Sequence, residues 1–106
     1  MIQTKVTQAG ALLGRIGEPA LLEQLVEECT ELAQAALKLA RIDRGENPTP
    51  QLRGQAVEHL TEEIADVNLC INAVWSNEIV SIDEIDREEK FKSARLSQRL
   101  ATHRKE

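Results

Sequence analysis

The chain has 106 residues, with 13 Lys+Arg against 18 Asp+Glu and a formal net charge of −5. That length bounds it to one small domain, and 42 % apolar with 29 % charged residues is a globular balance rather than a disordered or membrane one. Only Trp75 and Phe91 are aromatic and there is no basic excess, which argues against a base-stacking single-strand binder and against a phosphate-backbone binder.

The longest uncharged run, Val67 to Asn77, has 11 residues. A membrane-spanning helix needs roughly 18 or more apolar residues. The N-terminus, Met1-Ile2-Gln3-Thr4-Lys5, lacks a charged region followed by an apolar block, so no signal peptide is expected. Cys29 and Cys70 stand alone, without CxxC spacing. They fit reduced, buried thiols in a cytoplasmic protein better than a disulfide or zinc framework.

Taken in chain order, Gly and Pro cut the sequence into helical pieces. Met1 to Leu13 reads as a weak first helix. Pro19 suits the start of a second, where its missing N–H does no harm. That helix should run to about Arg44, with Leu22, Leu25, Cys29, Leu32, Ala36 and Leu39 at the three-four spacing of one buried face. Gly45, Pro48 and Pro50 mark a loop. A third helix should run from about Gln51 to Asn77, with Val57, Leu60, Ile64, Val67, Ile71 and Val74 on its inner face. Ser81 should cap a fourth, with Glu84 completing a capping box, and that helix carries Ile82, Ile85, Phe91, Leu96 and Leu100. No stretch alternates with period two long enough to be a strand. The expected fold is all-α: a four-helix, antiparallel bundle in a single domain, residues 1–106. Val26, Ala33, Leu37 and Ala40 form a second apolar strip, so the chain is expected to be oligomeric, a homodimer or homotetramer.

The feature that carries chemistry is an internal near-repeat at an offset of 35 residues. Leu25-Val26-Glu27-Glu28-Cys29-Thr30-Glu31-Leu32 aligns with Leu60-Thr61-Glu62-Glu63-Ile64-Ala65-Asp66-Val67. At about 100° per residue, Glu28 lies roughly 60° from Leu25 and Glu31 roughly 120° on the same side. Glu63 and Asp66 stand in the same relation to Leu60. Both acid pairs sit on the shoulder of an apolar stripe, so packing the two helices antiparallel can bring four carboxylates together. Their repulsion calls for a cation, and hard divalent ions take oxygen ligands.

Glu28-Cys29-Thr30-Glu31 and Glu63-Ile64-Ala65-Asp66 resemble the E-x-x-E and E-x-x-D motifs of the MazG-like all-α nucleoside triphosphate pyrophosphohydrolases. The resemblance spans roughly residues 18 to 100. It implies a Mg²⁺-dependent enzyme, with Mn²⁺ as a possible substitute, that cleaves an NTP or dNTP between the α and β phosphates. Glu28, Glu31, Glu63 and Asp66 would be the metal ligands, and Glu27 and Glu62 candidates for the general base. The family's fourth helix carries Lys, Asn and Arg near the phosphates. Lys90 and Arg95 fit one register, with Ala94 where the Asn would stand, and Lys92, Arg95 and Arg99 fit another.

Other residues fit bland roles as readily. His59, one turn before Glu63, could face the site but suits a solvated or capping histidine better. Trp75 could stack on a base but suits packing better. Asn68 and Asn72 share a face and could contact a base or sugar, or solvent. Lys38 and Arg41 could reach phosphates or simply complement a helix C-terminus. The competing readings are a phosphoribosyl-ATP or dUTP pyrophosphohydrolase-like enzyme, and a non-catalytic helical adaptor.

Overall fold

The computed structural model describes residues 8–46 and 52–104. All its elements are helical: α1 (Gln8–Leu13), a 3-10 turn (Gly14–Ile16), α2 (Glu18–Arg44), α3 (Arg53–Ser76) and α4 (Ile82–Arg104). There is no strand among the described residues. The expected start at Met1 and the prolines of the expected loop, Pro48 and Pro50, lie outside them.

The helix ends follow from local chemistry. Pro19 sits in the first turn of α2. Gly45 stops that helix in the left-handed conformation, at φ 72°, which a residue without Cβ adopts freely. Its N–H donates to Ile42 O, and the Glu46 N–H reaches back to Arg41 O at 2.9 Å. Before α4, the Glu84 N–H donates to Ser81 Oγ at 3.3 Å, as the capping reading requires.

The 3-10 turn lies close against the α3 end. A Cβ at Gly14 would run into the Asn77 side chain, whose Nδ2 donates to Ala73 O at 2.7 Å. Leu21, Ala73 and Val74 form a buried cluster, with Leu13, Leu25 and Ile79 packed against it. Leu21, with no exposed surface, contributes on the order of 2–3 kcal/mol by leaving water.

α3 doubles back along α2. The start of α2 meets the end of α3 at Leu21 and Ala73, and the end of α2 meets the start of α3 through Arg53 Nε, which donates to Asp43 Oδ1 at 2.9 Å. The inward stripes differ from the apolar faces expected from periodicity. On α2 they run Leu21, Leu25, Glu28, Leu32, Ala35, Leu39, while Leu22, Cys29 and Ala36 are exposed. On α3 they run Ala56, Leu60, Glu63, Val67, Cys70, Val74, while Ile64 is exposed. An apolar count has no place for an inward glutamate, so it rotates each face toward its neighbours. The two stripes are the same stripe at the 35-residue offset, position by position. Glu28 and Glu63 are therefore members of the interface rather than its shoulder.

α4 is different. Ile82 and Ile85 are half-buried, and every residue from Asp86 to Thr102 is exposed. Among the described residues, α4 makes no extended contact with any other helix. The helices that pack together in one chain are α1, α2 and α3.

Candidate metal centre

The inward rotation of Glu28 and Glu63 makes the site. Carboxylate oxygens of Glu28, Glu31 and Glu63 all lie within 4.8 Å of one another. Glu63 is 8 % exposed, Glu28 is half-buried and Glu31 stands at the outer edge.

The repeat extends to how the two inner carboxylates are held. Gln24 Nε2 donates to Glu28 Oε1 at 2.9 Å. His59 Nε2 lies 3.3 Å from Glu63 Oε1. Gln24 and His59 are themselves equivalent at the 35-residue offset, each one helical turn before its glutamate. In both half-sites the neighbour meets Oε1. Glu28 Oε2 and Glu63 Oε2 are buried with no hydrogen-bond partner. A buried acceptor without a partner costs about 1–3 kcal/mol, and more when charged. Two such oxygens in one cluster are a disposition that a cation relieves. An all-oxygen, all-carboxylate donor set fits a hard divalent ion.

His59 is thus the residue that sequence reasoning undervalued, and Gln24 the one it missed. The available signal was the i, i+4 spacing of donor and acid in both halves of the repeat.

Asp66 is exposed and lies outside the group of three. Its charge still reaches the interior. The Cys70 thiol is pushed up by burial first, then by Glu28, Asp66 and Cys29, so Asp66 and Glu28 act on the same buried group. Glu27 and Glu62, next to the inward glutamates, are exposed. Cys29 is exposed where a buried thiol was expected, because the inward position of that turn is taken by Glu28.

The remaining candidates divide. Asn68 and Asn72 do not share an environment: Asn68 is exposed, while Asn72 is 1 % exposed. Trp75 is buried near the end of α3, as core packing requires, with its indole nitrogen unpartnered. Lys90, Lys92 and Arg95 are exposed on α4. Lys90 Nζ lies 3.6 Å from Asp86 Oδ2, and the Arg95 guanidinium sits 5.8 Å from the Phe91 ring centre. Within one chain these cations belong to a helix that does not pack beside the acids. No helix among the described residues is long and apolar enough to cross a membrane.

No protein-family model, curated protein or solved structure matches the chain.

Proposed function

We propose that the chain is a Mg²⁺-dependent nucleoside triphosphate pyrophosphohydrolase, releasing a nucleoside monophosphate and pyrophosphate. The observation that carries the reading is the pair of buried, unpartnered Oε2 atoms on Glu28 and Glu63, whose Oε1 atoms meet equivalent neighbours and which cluster with Glu31. Helix packing alone is better served by apolar residues at such positions.

Glu28, Glu31 and Glu63 would hold the ion, with Asp66, one turn beyond Glu63, completing an E-x-x-E/E-x-x-D set. Bound there, a divalent ion supplies Lewis-acid polarisation of a phosphoryl oxygen and lowers the pKa of water. Gln24 and His59 orient the two inner carboxylates. Glu27 and Glu62, next to the inner glutamates in the chain, would be the candidates to accept a proton from the attacking water. In the overall reaction water oxygen joins one phosphorus of the α–β anhydride, and the bridging oxygen leaves with the other. Lys90 and Arg95 would offset charge on the phosphates. Because α4 stands apart in one chain, this requires α4 to reach an acid cluster in the assembled protein. An antiparallel four-helix arrangement completed in a homodimer or homotetramer meets that need, and it also covers the exposed strip at Val26 and Leu37.

Screening canonical and modified nucleotides for pyrophosphate release, with Mg²⁺ and with Mn²⁺, tests the reading. Calorimetric titration with Mg²⁺ alone separates it from a helical adaptor, for which the acids need bind nothing. Absence of both heat and turnover rejects the enzyme.

A further inference from the structure

One chain exposes 8118 Å² of surface, whereas a compact monomer of 11.8 kDa exposes about 5,900 Å². Its radius of gyration is 17.1 Å, against about 13 Å for a compact domain of this length. The excess surface, about 2,200 Å², is ample for a homodimer interface, which removes about 800 Å² or more from each partner. Part of the exposed apolar surface lies on α4, where Leu96 and Leu100 are each 54 % exposed.

The sequence of α4 says which partner fits. At about 100° per residue, Ile82, Ile85, Glu89, Lys92, Leu96 and Leu100 fall within an arc of roughly 80°. In chain order this stripe reads apolar, apolar, acid, base, apolar, apolar. Laid against its own reverse, apolar meets apolar at both ends, and acid meets base in the middle. The flanks follow the same rule. Ile82–Glu89 holds five acids and one base, whereas Lys90–Thr102 holds four bases and no acid. A parallel pairing would set acid against acid and base against base. An antiparallel pairing sets each block against its opposite.

We propose that α4 pairs antiparallel with α4 of a second copy of this chain. Ile82 lies against the partner's Leu100, Ile85 against the partner's Leu96, and Glu89 against the partner's Lys92. The charged pair at the centre fixes register and direction, as isolated polar residues do in coiled-coil seams. The pairing does not rest on catalysis. It is also distinct from burial of the Val26–Leu37 strip of α2, since Phe91 and Arg95 lie off the seam and remain free for other contacts.

The test is charge exchange read by sedimentation equilibrium on the full-length protein. Glu89→Lys alone, or Lys92→Glu alone, should weaken association at least about tenfold by opposing like charges. Combining the two substitutions in one chain should return it to within about threefold of wild type, since each like-charge contact again becomes an opposite one. Leu96→Asp should give a monomer with unchanged helical circular dichroism, and Phe91→Ser, on the far side of α4, should leave the mass unaltered. A wild type that is monomeric at micromolar concentration overturns the proposal. So does association that withstands Leu96→Asp and both single charge reversals, because the copies would then meet elsewhere, for instance through Val26 and Leu37.

Discussion

The α2–α3 hairpin and α4 both carry charge, yet they use it in opposite ways. In the hairpin, two glutamates occupy interior positions of an otherwise apolar stripe, and each has one oxygen held by a neighbour and one left without a partner. In α4 the charges are solvated and sorted by sign along the helix, and Phe91, Leu96 and Leu100 between them are exposed. Charge kept inside at a cost is what the proposed metal ion would neutralise. Charge arranged outside, alongside exposed apolar surface, is what the proposed partner chain would cover.

The comparison breaks most sharply at Glu63. Glu63→Gln and Glu28→Gln remove charge with little change in volume, and each should cut pyrophosphate release at least about 100-fold, or about 2.7 kcal/mol. Without metal, the same variants should melt a few degrees higher, on the order of 1 kcal/mol, because they relieve repulsion between the clustered carboxylates. Adding Mg²⁺ at 100 times its Kd should stabilise wild type by about 2.7 kcal/mol and the variants much less. Thermal melts with chelator and with Mg²⁺ read both effects. Equal metal-induced shifts in all three proteins would remove the metal from the cluster.

The next effect concerns the residues one turn upstream. Gln24→Ala and His59→Ala leave every carboxylate in place but release its orientation. Each should weaken Mg²⁺ binding by about 10–100-fold. Their equivalence in the repeat further predicts effects of similar size. Calorimetry showing loss for one and none for the other would mean that only one half-site holds the ion.

How far the sequence discloses this can be judged at those residues. The helical class and the Ser81 cap are legible because periodicity and capping chemistry are local. The acids were legible because the repeat sets Glu28 against Glu63. Their depth was not. An apolar count assigns Leu22 and Ile64 to the interior, and only the packed pair of helices shows Leu21, Glu28 and Glu63 there instead. Small residues at Ala35 and Ala56, both buried, line that approach, and they carry little weight in a hydrophobic pattern. The isolation of α4 was illegible for a different reason. Its stripe has the pattern of a packed helix, and pattern does not say whether the cover comes from the same chain.

On α4 itself, Arg95→Ala should lower kcat/KM at least about tenfold, or about 1.4 kcal/mol. It should leave Mg²⁺ affinity without nucleotide nearly unchanged, since a cation does not ligate a cation. Arg95 belongs to both basic registers, and it is exposed, with its guanidinium over the Phe91 ring, so its removal disturbs little packing. Full activity in Arg95→Ala would confine α4 to association and leave the phosphates to the metal.

The smallest effect tests whether the acids act on the hairpin interior at a distance. Cys70 lies in the inward stripe of α3, 2 % exposed. Burial, then the charges of Glu28 and Asp66, hold its thiol above the ordinary value of 9.0. Below that value the thiol is neutral in both the folded and the unfolded chain, and it adds no pH dependence. As pH rises past it, the unfolded chain loses the proton first, so stability falls until the folded thiol also ionises. Urea melts of wild type from pH 8 upward should therefore show a declining alkaline limb that Cys70→Ala flattens. A cation held by Glu28 offsets one of the charges acting on the thiol, so Mg²⁺ should make the wild-type limb shallower while leaving Cys70→Ala unaffected. An identical limb in both proteins would place the alkaline titration elsewhere in the chain. A limb that Cys70→Ala removes but Mg²⁺ does not change would attribute the shift to burial alone, and would separate the thiol from the carboxylate cluster.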